Sequence, residues 1–388
     1  MFVYLDNSST TKPYEQVVEI MTKVLREDFG NPSSLHTLGI DSEKYVKAAR
    51  KSLAKAMGIS SDDFYFTSCG TESDNAAIFG ACNGSKHKGK KIITTKVEHP
   101  AVLEPIRRLE MAGFEVTYLD VDRKCHLNME QLKSAISKDT ALISVMAINN
   151  ETGTIMPINE IAETKERFNK EHGCQVIFHT DAVQALGKIP LKMNGVDIAS
   201  VSGHKIHGPK GIGGLYIKKG LSIPAYMIGG GQEHNMRSGT ENTAGIAGFG
   251  IAADICAEGF ETRTAAMKKA KQRLLTGLKS EMKDIYINSP EDDTASPSVL
   301  NVSFIGTRGE VLLHTLEQEG IFVSTGSACS SNKKGQSHVL TAMGLSPKEI
   351  EGTIRFSFSE FNTEEEMDYT VEKVKETVNK FRRLGSFR

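Results

Sequence analysis

The sequence predicts an α/β fold, with a mostly parallel central sheet and helices on both faces, joined to a smaller α+β region. Through the first two thirds of the chain, short apolar runs alternate with longer stretches of helical periodicity, as is typical of parallel sheets. Beyond Gly259 the pattern changes to a long helix followed by separate strand-like runs. Polar side chains also follow several strands directly, where open α/β sheets bind their ligands.

Five apolar runs bounded by turn residues are predicted to be strands of the central sheet. They cover residues 64–67, 92–95, 115–119, 142–146 and 176–179. Residues 74–82 and 158–172 have helical periodicity. Helices between successive strands connect parallel strands of one sheet.

The region after Gly259 is predicted to form most of a smaller unit. A helix over residues 261–283 precedes strand-like runs at 284–288, 299–305, 321–325 and 353–358, and a last helix begins near Thr363. The chain has no internal repeat or flexible linker, so two closely packed domains are expected. We predict a large domain over residues 16–258 and a small domain formed by residues 1–15 and 259–388.

Composition excludes several classes of function. With 388 residues, 39% hydrophobic and 24% charged, the chain resembles soluble globular proteins, and its net charge of −1 gives no broad attraction to nucleic acid or to an anionic membrane. We see no secretory signal and no apolar run long enough to cross a bilayer, so a cytoplasmic location is expected. Six scattered cysteines without a Cys-x-x-Cys pair argue against a disulfide framework and a zinc ribbon, and no metal is predicted.

The strongest chemical signal is Lys205 in the segment Ser-Gly-His-Lys at 202–205. This segment follows an apolar run at 196–201 and precedes glycine-rich residues 208–211. A lone lysine is usually a solvated surface charge. Here Asp181 ends an earlier strand, and the two residues together resemble a pyridoxal phosphate site, where a lysine forms the Schiff base and an aspartate faces the pyridine nitrogen.

Other segments fit the same cofactor. Gln184 lies about one helical turn after Asp181 if a helix starts there, although an aspartate at that place also fits a helix N-cap. Gly70 and Thr71 lie between a strand and a helix, where backbone N–H groups bind phosphate or are simply capped. His99 follows another strand and could stack on a flat ring or move protons near neutral pH.

With these segments in this order, the chain resembles the cysteine desulfurases of the class V aminotransferase family, in the group with a longer catalytic loop. Further matching segments are residues 4–7, 30–34, 149–153, 236–240 and 327–329. The resemblance covers the whole chain. It implies pyridoxal phosphate fold type I, removal of sulfur from L-cysteine to give L-alanine, a homodimer, and transfer of the sulfur to an acceptor protein in iron-sulfur cluster assembly or tRNA thiolation.

The resemblance also assigns roles to single residues. Lys205 would hold the cofactor and remove the α-proton, while Asp181 would face the ring nitrogen, Gln184 the phenolic oxygen and His99 the ring plane. The cofactor phosphate would be held by Gly70, Thr71, Ser202 and His204, and by Thr240 of a neighbouring subunit. The substrate carboxylate would be held by Asn150 and Arg355, which considered alone indicate a turn and a surface ion pair.

Cys329 would be the nucleophile. It lies in a small, polar run at 324–331 that is typical of a loop. An ordinary cysteine has a pKa of about 8.5, so attack near neutral pH needs a stabilised thiolate or a nearby base. Its attack on the substrate sulfur would leave a persulfide on Cys329 for transfer to the acceptor.

Two positions depart from the commonest family pattern, and three alternatives stay open. Cys69 stands where glycine is expected in the phosphate loop, and Ser330 where threonine is frequent. Another pyridoxal phosphate enzyme of this fold, such as a selenocysteine lyase, would not need Cys329 for attack on sulfur. A nucleotide-binding module could use the glycines at 229–231, although they lack Walker or dinucleotide spacing. A non-catalytic sulfur carrier would lack the Schiff-base lysine.

Overall fold

The computed structural model describes residues 1–84, 89–325, 336–383 and 385. Within these ranges the strands are β1 (Val3–Tyr4), β2 (Phe64–Thr67), β3 (Lys91–Thr95), β4 (Glu115–Leu119), β5 (Thr140–Ser144), β6 (Ile177–Asp181), β7 (Ile198–Ser202), β8 (Gly213–Ile217), β9 (Ile285–Ile287), β10 (Val299–Phe304), β11 (Ile321–Phe322) and β12 (Thr353–Ser357). The α-helices there are α1 (Glu15–Arg26), α2 (Thr37–Met57), α3 (Gly70–Asn83), α4 (Pro100–Met111), α5 (Met129–Ala135), α6 (Ile158–His172), α7 (Thr243–Glu258), α8 (Phe260–Glu281), α9 (Gly309–Gln318), α10 (His338–Ala342), α11 (Pro347–Glu351) and α12 (Glu364–Arg383).

The central sheet has seven strands in the order β2-β8-β7-β6-β5-β3-β4. The pairs from β7 through β6, β5 and β3 to β4 are parallel. Strand β8 is antiparallel to both of its neighbours, β2 and β7. Every strand of this sheet except β8 therefore runs in one direction, and their carboxyl ends meet at one edge. This confirms the predicted mostly parallel sheet.

Strand β8 has no counterpart among the predicted strands. Its first two residues, Gly213 and Gly214, weaken the apolar pattern by which a strand is recognised. A Cβ atom at Gly214 would lie 2.1 Å from Cζ of Phe64 on the neighbouring strand. The glycine is therefore needed because the Phe64 ring occupies the space of a side chain at position 214. The missing apolar side chain is also the reason that the sequence shows no strand pattern here.

Apolar clusters cover both faces of the central sheet. On β5, Leu142 packs in a cluster with α3 and α4, whereas the next residue, Ile143, packs in a cluster with α2 and α7. Because successive strand side chains point to opposite faces, this division shows helices on both sides. The fold class predicted from the sequence is thus confirmed.

A separate apolar cluster lies in the C-terminal part, around the antiparallel sheet β12-β10-β9 and helices α8 and α12. Val3 and Leu5 from the start of the chain belong to this cluster, and β1 pairs in parallel with β11. Val339 and Leu340 of α10 instead pack in the cluster of the central sheet. The two domain boundaries remain a prediction. Helix α10 falls in the predicted small domain by its residue numbers, but it packs against the core of the central sheet.

None of the helices in the described ranges has the length and apolar character that a membrane crossing requires.

The buried ion pair between Arg50 of α2 and Glu233 stabilises the β2 edge of the sheet. The guanidinium also donates to the Phe64 carbonyl, and the carboxylate accepts from the Phe66 N–H. We expect Arg50→Met to lower the free energy of unfolding by about 3–5 kcal/mol, because a buried carboxylate loses its counter-charge. Urea denaturation measures the loss.

The matched control is Arg273→Met. Arg273 forms a similar two-bond pair with Asp368, but both side chains are about half exposed, at 51% and 54%. Water screens such a pair, so we expect a loss below about 1 kcal/mol. Equal losses in the two variants would contradict the importance of burial at Arg50.

Candidate active site

The carboxyl edge of the central sheet brings together most of the residues predicted to hold a cofactor. Helix α3 begins at Gly70 after β2, α4 follows His99 after β3, Asp181 ends β6, and Ser202 ends β7. Parallel strands place their carboxyl ends at the same edge, so residues far apart in sequence share one site.

Lys205 lies in a single 3₁₀ turn, Gly203–Lys205, directly after β7. Its Nζ donates to the carbonyl oxygens of Ser8 at 2.5 Å and Ser9 at 2.8 Å. These carbonyls belong to the segment after β1, which therefore closes one side of the site. Sequence reasoning missed both serines, although the polar run at 6–11 directly after a strand was a signal.

Asp181 is buried at the end of β6, and its Oδ1 accepts a hydrogen bond of 2.9 Å from the Val183 N–H. Burial, assisted by the Asp74 carboxyl, raises the pKa of Asp181 to about 7, while His179 and Lys205 oppose this shift. A cationic group placed against Asp181 would favour its ionised form. The carboxyl group therefore suits a protonated ring nitrogen.

A buried polar cluster that sequence reasoning missed lies beside Asp181. His179 contacts Ser144 Oγ through Nδ1 at 2.9 Å and Ser200 Oγ through Nε2 at 3.0 Å. Oδ1 of Asp74 lies 3.5 Å from the same Nε2. Burial raises the pKa of Asp74 to about 7 and lowers that of His179 to about 4. Both side chains thus favour their neutral forms, which limits the charge next to Asp181.

Gln184 lies in hydrogen-bonded turns, since the residues after β6 do not form the conditional helix considered from sequence. Gly187, with φ +71°, leaves the helical conformation three residues later. The Gln184 Nε2 donates to the Ser8 carbonyl at 3.0 Å, so Gln184 and Lys205 share one acceptor. Its Oε1 accepts from Lys188 Nζ at 2.9 Å.

His99 is the N-cap residue of α4. Its Nδ1 accepts a hydrogen bond of 3.1 Å from the Ala101 N–H, which leaves the ring proton of the neutral form on Nε2. Burial, followed by the positive charge of Lys205, lowers the pKa of His99 to about 4. The imidazole is therefore neutral at pH 7 in the cofactor-free protein, which suits stacking better than the proton transfer near neutral pH considered from sequence.

The residues expected around a phosphate fit such a group. A Cβ atom at Gly70 would lie 2.8 Å from Cγ2 of Val183, so glycine keeps the backbone close to the sheet edge. Ser202 Oγ is buried and has no hydrogen-bond partner among the described residues. The first N–H groups of α3 also lack acceptors within the helix. An anion placed here would satisfy both kinds of donor.

Three more residues complete the predicted phosphate set. Thr71 is exposed in the first turn of α3, and Thr240 is exposed before α7. His204 lies 3.2 Å from Thr10 Oγ1 through Nδ1, and burial together with Lys205 lowers its pKa to about 4. Cys69, the departure from the family pattern, caps α3: its Sγ accepts from the Glu72 N–H at 3.5 Å. The thiol thus accepts a hydrogen bond that the expected glycine could not accept, and Gly70 itself is retained.

Arg355 on β12 is buried, and its guanidinium reaches the chain start. Nη2 donates to Asp6 Oδ1 at 2.9 Å and to Ser9 Oγ at 2.7 Å, while Nη1 donates to the main-chain carbonyl of Asn150 at 3.0 Å. Nε is buried and unpartnered among residues the structure describes. Arg355 therefore connects β12 with the segment that contacts Lys205, although the contact with Asn150 is to its carbonyl and not to its side chain.

Cys329 lies outside the described residues, but both flanks of its segment are placed. Ser324 forms two backbone hydrogen bonds with Arg355, at 2.6 and 3.1 Å. Ser337 Oγ donates to Glu151 Oε2 at 2.5 Å. The two flanks thus contact Arg355 itself and the neighbour of Asn150.

Comparisons with known proteins agree on one family. The aminotransferase class-V family model matches residues 3–370. The cysteine desulfurase IscS of Dictyoglomus turgidum is 42% identical over 388 residues, covering 100% of this chain and 97% of the relative. A solved NifS-like protein is 40% identical, with a TM-score of 0.90, over 98% of this chain and 100% of its own. A solved complex of SspA with cysteine is 32% identical, with a TM-score of 0.80, over 93% of this chain and 100% of its own.

The raised pKa of Asp74 gives a test of the buried cluster. Between about pH 4 and pH 7 Asp74 is ionised in the unfolded chain but protonated in the folded one, so its contribution to stability falls as pH rises and becomes constant above about pH 7. Relative to the unmodified protein, Asp74→Asn should therefore gain stability with pH over this window, by on the order of 2 kcal/mol. Urea denaturation of the cofactor-free proteins at pH 5, 6, 7 and 8 measures it.

The control is Asp368→Asn, because the Arg273 ion pair lowers the pKa of this exposed carboxyl. Asp368 is then ionised in both states across the whole range, so its variant should differ from the unmodified protein by the same amount at every pH. A flat difference for Asp74→Asn as well would contradict the assigned ionisation.

Proposed function

The chain belongs to the class V aminotransferase family, and on that premise we propose that it removes sulfur from L-cysteine with pyridoxal 5'-phosphate as cofactor and releases L-alanine. The observation that carries the proposal is the placement of Lys205, Asp181 and Ser202 at one edge of the sheet, where the Ser202 hydroxyl has no partner among the described residues. These three groups suit the carbonyl, the ring nitrogen and the phosphate of that cofactor. The names of the relatives, cysteine desulfurase and NifS-like protein, support the same reaction.

In this proposal the bound cofactor supplies an electron sink that weakens the bonds at the substrate α-carbon. Asp181 holds a proton at the ring nitrogen, and His99 covers the ring as a neutral imidazole. Lys205 Nζ takes the α-proton and later returns it. Gly70, Thr71, Ser202 and His204 hold the phosphate, and Gln184 supplies a donor to the phenolic oxygen.

Cys329 carries the step that distinguishes a desulfurase from other enzymes of this fold. Its thiolate attacks the substrate sulfur, so that an S–S bond forms and the Cβ–S bond of the substrate breaks. The electron pair of the broken bond stays on the carbon skeleton, which is protonated and leaves as alanine. The outgoing sulfur remains as a persulfide on Cys329 until an acceptor thiol takes it.

Arg355 and Asn150 are proposed to bind the substrate carboxylate. A guanidinium matches a carboxylate with two parallel hydrogen bonds, and Arg355 already holds the Asp6 carboxylate through one of its nitrogens. Nε of Arg355, which has no partner in the described part of the chain, is a donor that a second carboxylate would satisfy. Binding of substrate would thus share or replace the contact with Asp6.

A homodimer and a protein acceptor complete the proposal. Thr240 is exposed on its own subunit, as a residue reaching a partner's phosphate would be. Large apolar side chains are also exposed, among them Leu35 at 96% and Ile228 at 93%, and a subunit interface would cover such groups. The acceptor is an iron-sulfur scaffold or a tRNA-thiolating enzyme, and the cytoplasmic location stays a prediction.

Substituting Cys329→Ala tests the proposed function. We expect alanine and sulfide production from L-cysteine to fall by at least about a hundredfold, because no thiolate remains to attack the sulfur. The visible absorbance of the bound cofactor should be unchanged. The control, Cys174→Ala, removes a half-buried thiol that contacts Asn169 at the end of α6, and should keep full activity. Undiminished alanine production by Cys329→Ala would refute the persulfide route.

Substituting Arg355→Lys tests the carboxylate site. A lysine keeps the charge but loses the two-pronged geometry, so we expect the KM for L-cysteine to rise about ten- to a hundredfold, the range for lost hydrogen bonds to a charged group. Steady-state kinetics measure the change, and thermal denaturation checks that the fold is retained. The exposed Arg273→Lys should leave KM unchanged, and an equally unchanged KM for Arg355→Lys would exclude Arg355 as the carboxylate ligand.

A further inference from the structure

Lys188 is a buried lysine that the proposed mechanism does not use. Only 6% of it is exposed, and Nζ donates to Oε1 of Gln184 at 2.9 Å. Burial, followed by the positive charges of Lys205 and Arg263, lowers the pKa of Lys188 to about 7. A buried amine among cations is costly to keep. Its position against a cofactor-site side chain therefore calls for a functional explanation.

The hydrogen bonds around Lys188 form a chain that ends at Lys205. Gln184 accepts from Lys188 through Oε1 and donates through Nε2 to the Ser8 carbonyl at 3.0 Å. The same carbonyl accepts from Lys205 Nζ at 2.5 Å. In this series of hydrogen bonds, the Gln184 amide has an acceptor, Oε1, on one side and a donor, Nε2, on the other. Turning the amide over would exchange the two.

Below about pH 7 Lys188 is mainly an ammonium group, with hydrogen atoms to donate and no lone pair to accept with, and the neutral amine formed above that pH still has hydrogen atoms for Oε1. Next to Lys188, the Gln184 amide must therefore present Oε1 to Nζ and Nε2 to the opposite side. With the amide turned over, two donors would meet at Lys188 and two oxygens would meet at Ser8. Lys188 thus selects one of the two amide orientations.

We propose that Lys188 is a positioning residue that holds the Gln184 amide with its Nε2 donor directed to the Ser8 carbonyl and the Lys205 side of the site. The inference rests on the proposed function, in which Gln184 gives a donor to the cofactor and Lys205 binds it. In this orientation Gln184 and Lys205 share the Ser8 carbonyl as their acceptor. Lys188 thereby weakens one of the hydrogen bonds that favour a protonated Lys205.

Several other charged or titratable groups interact with Lys188 and Lys205, and their ionisation must not change between the variants compared. Those facing Lys188 are Lys205, Arg263, Arg355 and the Cys256 thiol. Those that interact electrostatically with Lys205 include Lys188, His99, His204 and Asp181. Since His99 and His204 have pKa values lowered to about 4, both are neutral above pH 6 and add no titration there.

The test is the pH dependence of Lys205 labelling in the full-length, cofactor-free protein. Acetic anhydride reacts with the unprotonated amine, and mass spectrometry gives the fraction of Lys205 modified at each pH. In Lys188→Met we expect the labelling midpoint to rise by at least about half a pH unit, because the Gln184 amide is no longer held toward the Ser8 carbonyl and Lys205 gains that acceptor. An unchanged midpoint would overturn the proposal.

Two further variants separate positioning from charge. Gln184→Leu should raise the midpoint as well, and combining it with Lys188→Met should add little, since Lys188 acts through Gln184. Fully additive shifts would show that the Lys188 charge acts independently and would overturn the positioning role. Lys188→Gln keeps an N–H donor for Oε1 without the charge, so its midpoint should stay close to that of the unmodified protein. A shift as large as that of Lys188→Met would contradict the hydrogen-bond role, and this variant serves the same purpose if Lys188→Met does not fold.

Lys271→Met is the matched control. Lys271 is also buried, has a pKa lowered to about 8, and donates to the Ser296 carbonyl. Its removal should leave the Lys205 midpoint unchanged. Because the labelling needs no cofactor, a protein that failed to bind pyridoxal phosphate would refute the proposed function without altering this result. An enzyme that desulfurates cysteine but has an unshifted Lys188→Met midpoint would refute only the positioning role.

Discussion

Burial of ionisable side chains at the carboxyl edge of the central sheet is the constraint on which the site depends. Asp74 and Asp181 have pKa values raised to about 7, and His99 and His204 have pKa values lowered to about 4, in each case chiefly by burial. Desolvation thus pushes acids and bases alike toward their neutral forms. At neutral pH the two histidines are uncharged and the two carboxyl groups are only partly ionised, so a cationic group bound beside Asp181 would shift that carboxyl toward its ionised form.

This constraint explains why a cofactor with separate charged parts suits the site. A ring nitrogen that holds a proton favours the Asp181 carboxylate over its neutral form, and a phosphate gives the Ser202 hydroxyl the acceptor that the described protein atoms do not provide. A bound cofactor would thus supply a counter-charge for Asp181 and an acceptor for Ser202.

The segment after β1 connects the two halves of the site. Ser8 and Ser9 accept hydrogen bonds from Lys205 at the edge of the central sheet, and Asp6 pairs with Arg355 of the C-terminal sheet. The proposed cofactor lysine and the proposed carboxylate ligand are thus held by neighbouring residues of one short segment. A displacement of this segment on substrate binding would change the hydrogen bonds of both side chains. Occupation of Arg355 by substrate would therefore affect the hydrogen bonding of Lys205.

Much of this arrangement was predictable from the sequence, because strand patterns and polar residues after strands are local signals. The bounds of β2, β4 and α6 agree with the predicted ones, and Asp181 and Lys205 were recognised as candidates from their places after strands. The missed features depend on contacts across the fold. Strand β8 was hidden by two glycines, Gly213 beside the Cys69 backbone and Gly214 beside the Phe64 ring. Lys188 and Asp74 gained importance only from the buried neighbours that tertiary packing gives them.

The proposed nucleophile, Cys329, lies outside the described residues, but the described residues on both sides of its segment contact the proposed carboxylate site. Ser324 pairs with Arg355, and Ser337 contacts Glu151, so both ends of the segment around Cys329 meet residues at or beside the proposed carboxylate ligands. Cys329 is four residues from Thr325 in sequence, and four extended residues span at most about 14 Å. Covalent connection thus limits the distance between Cys329 and Thr325. Since Arg355 would hold the substrate by its carboxylate, the residue that pairs with Ser324 is also the proposed substrate anchor.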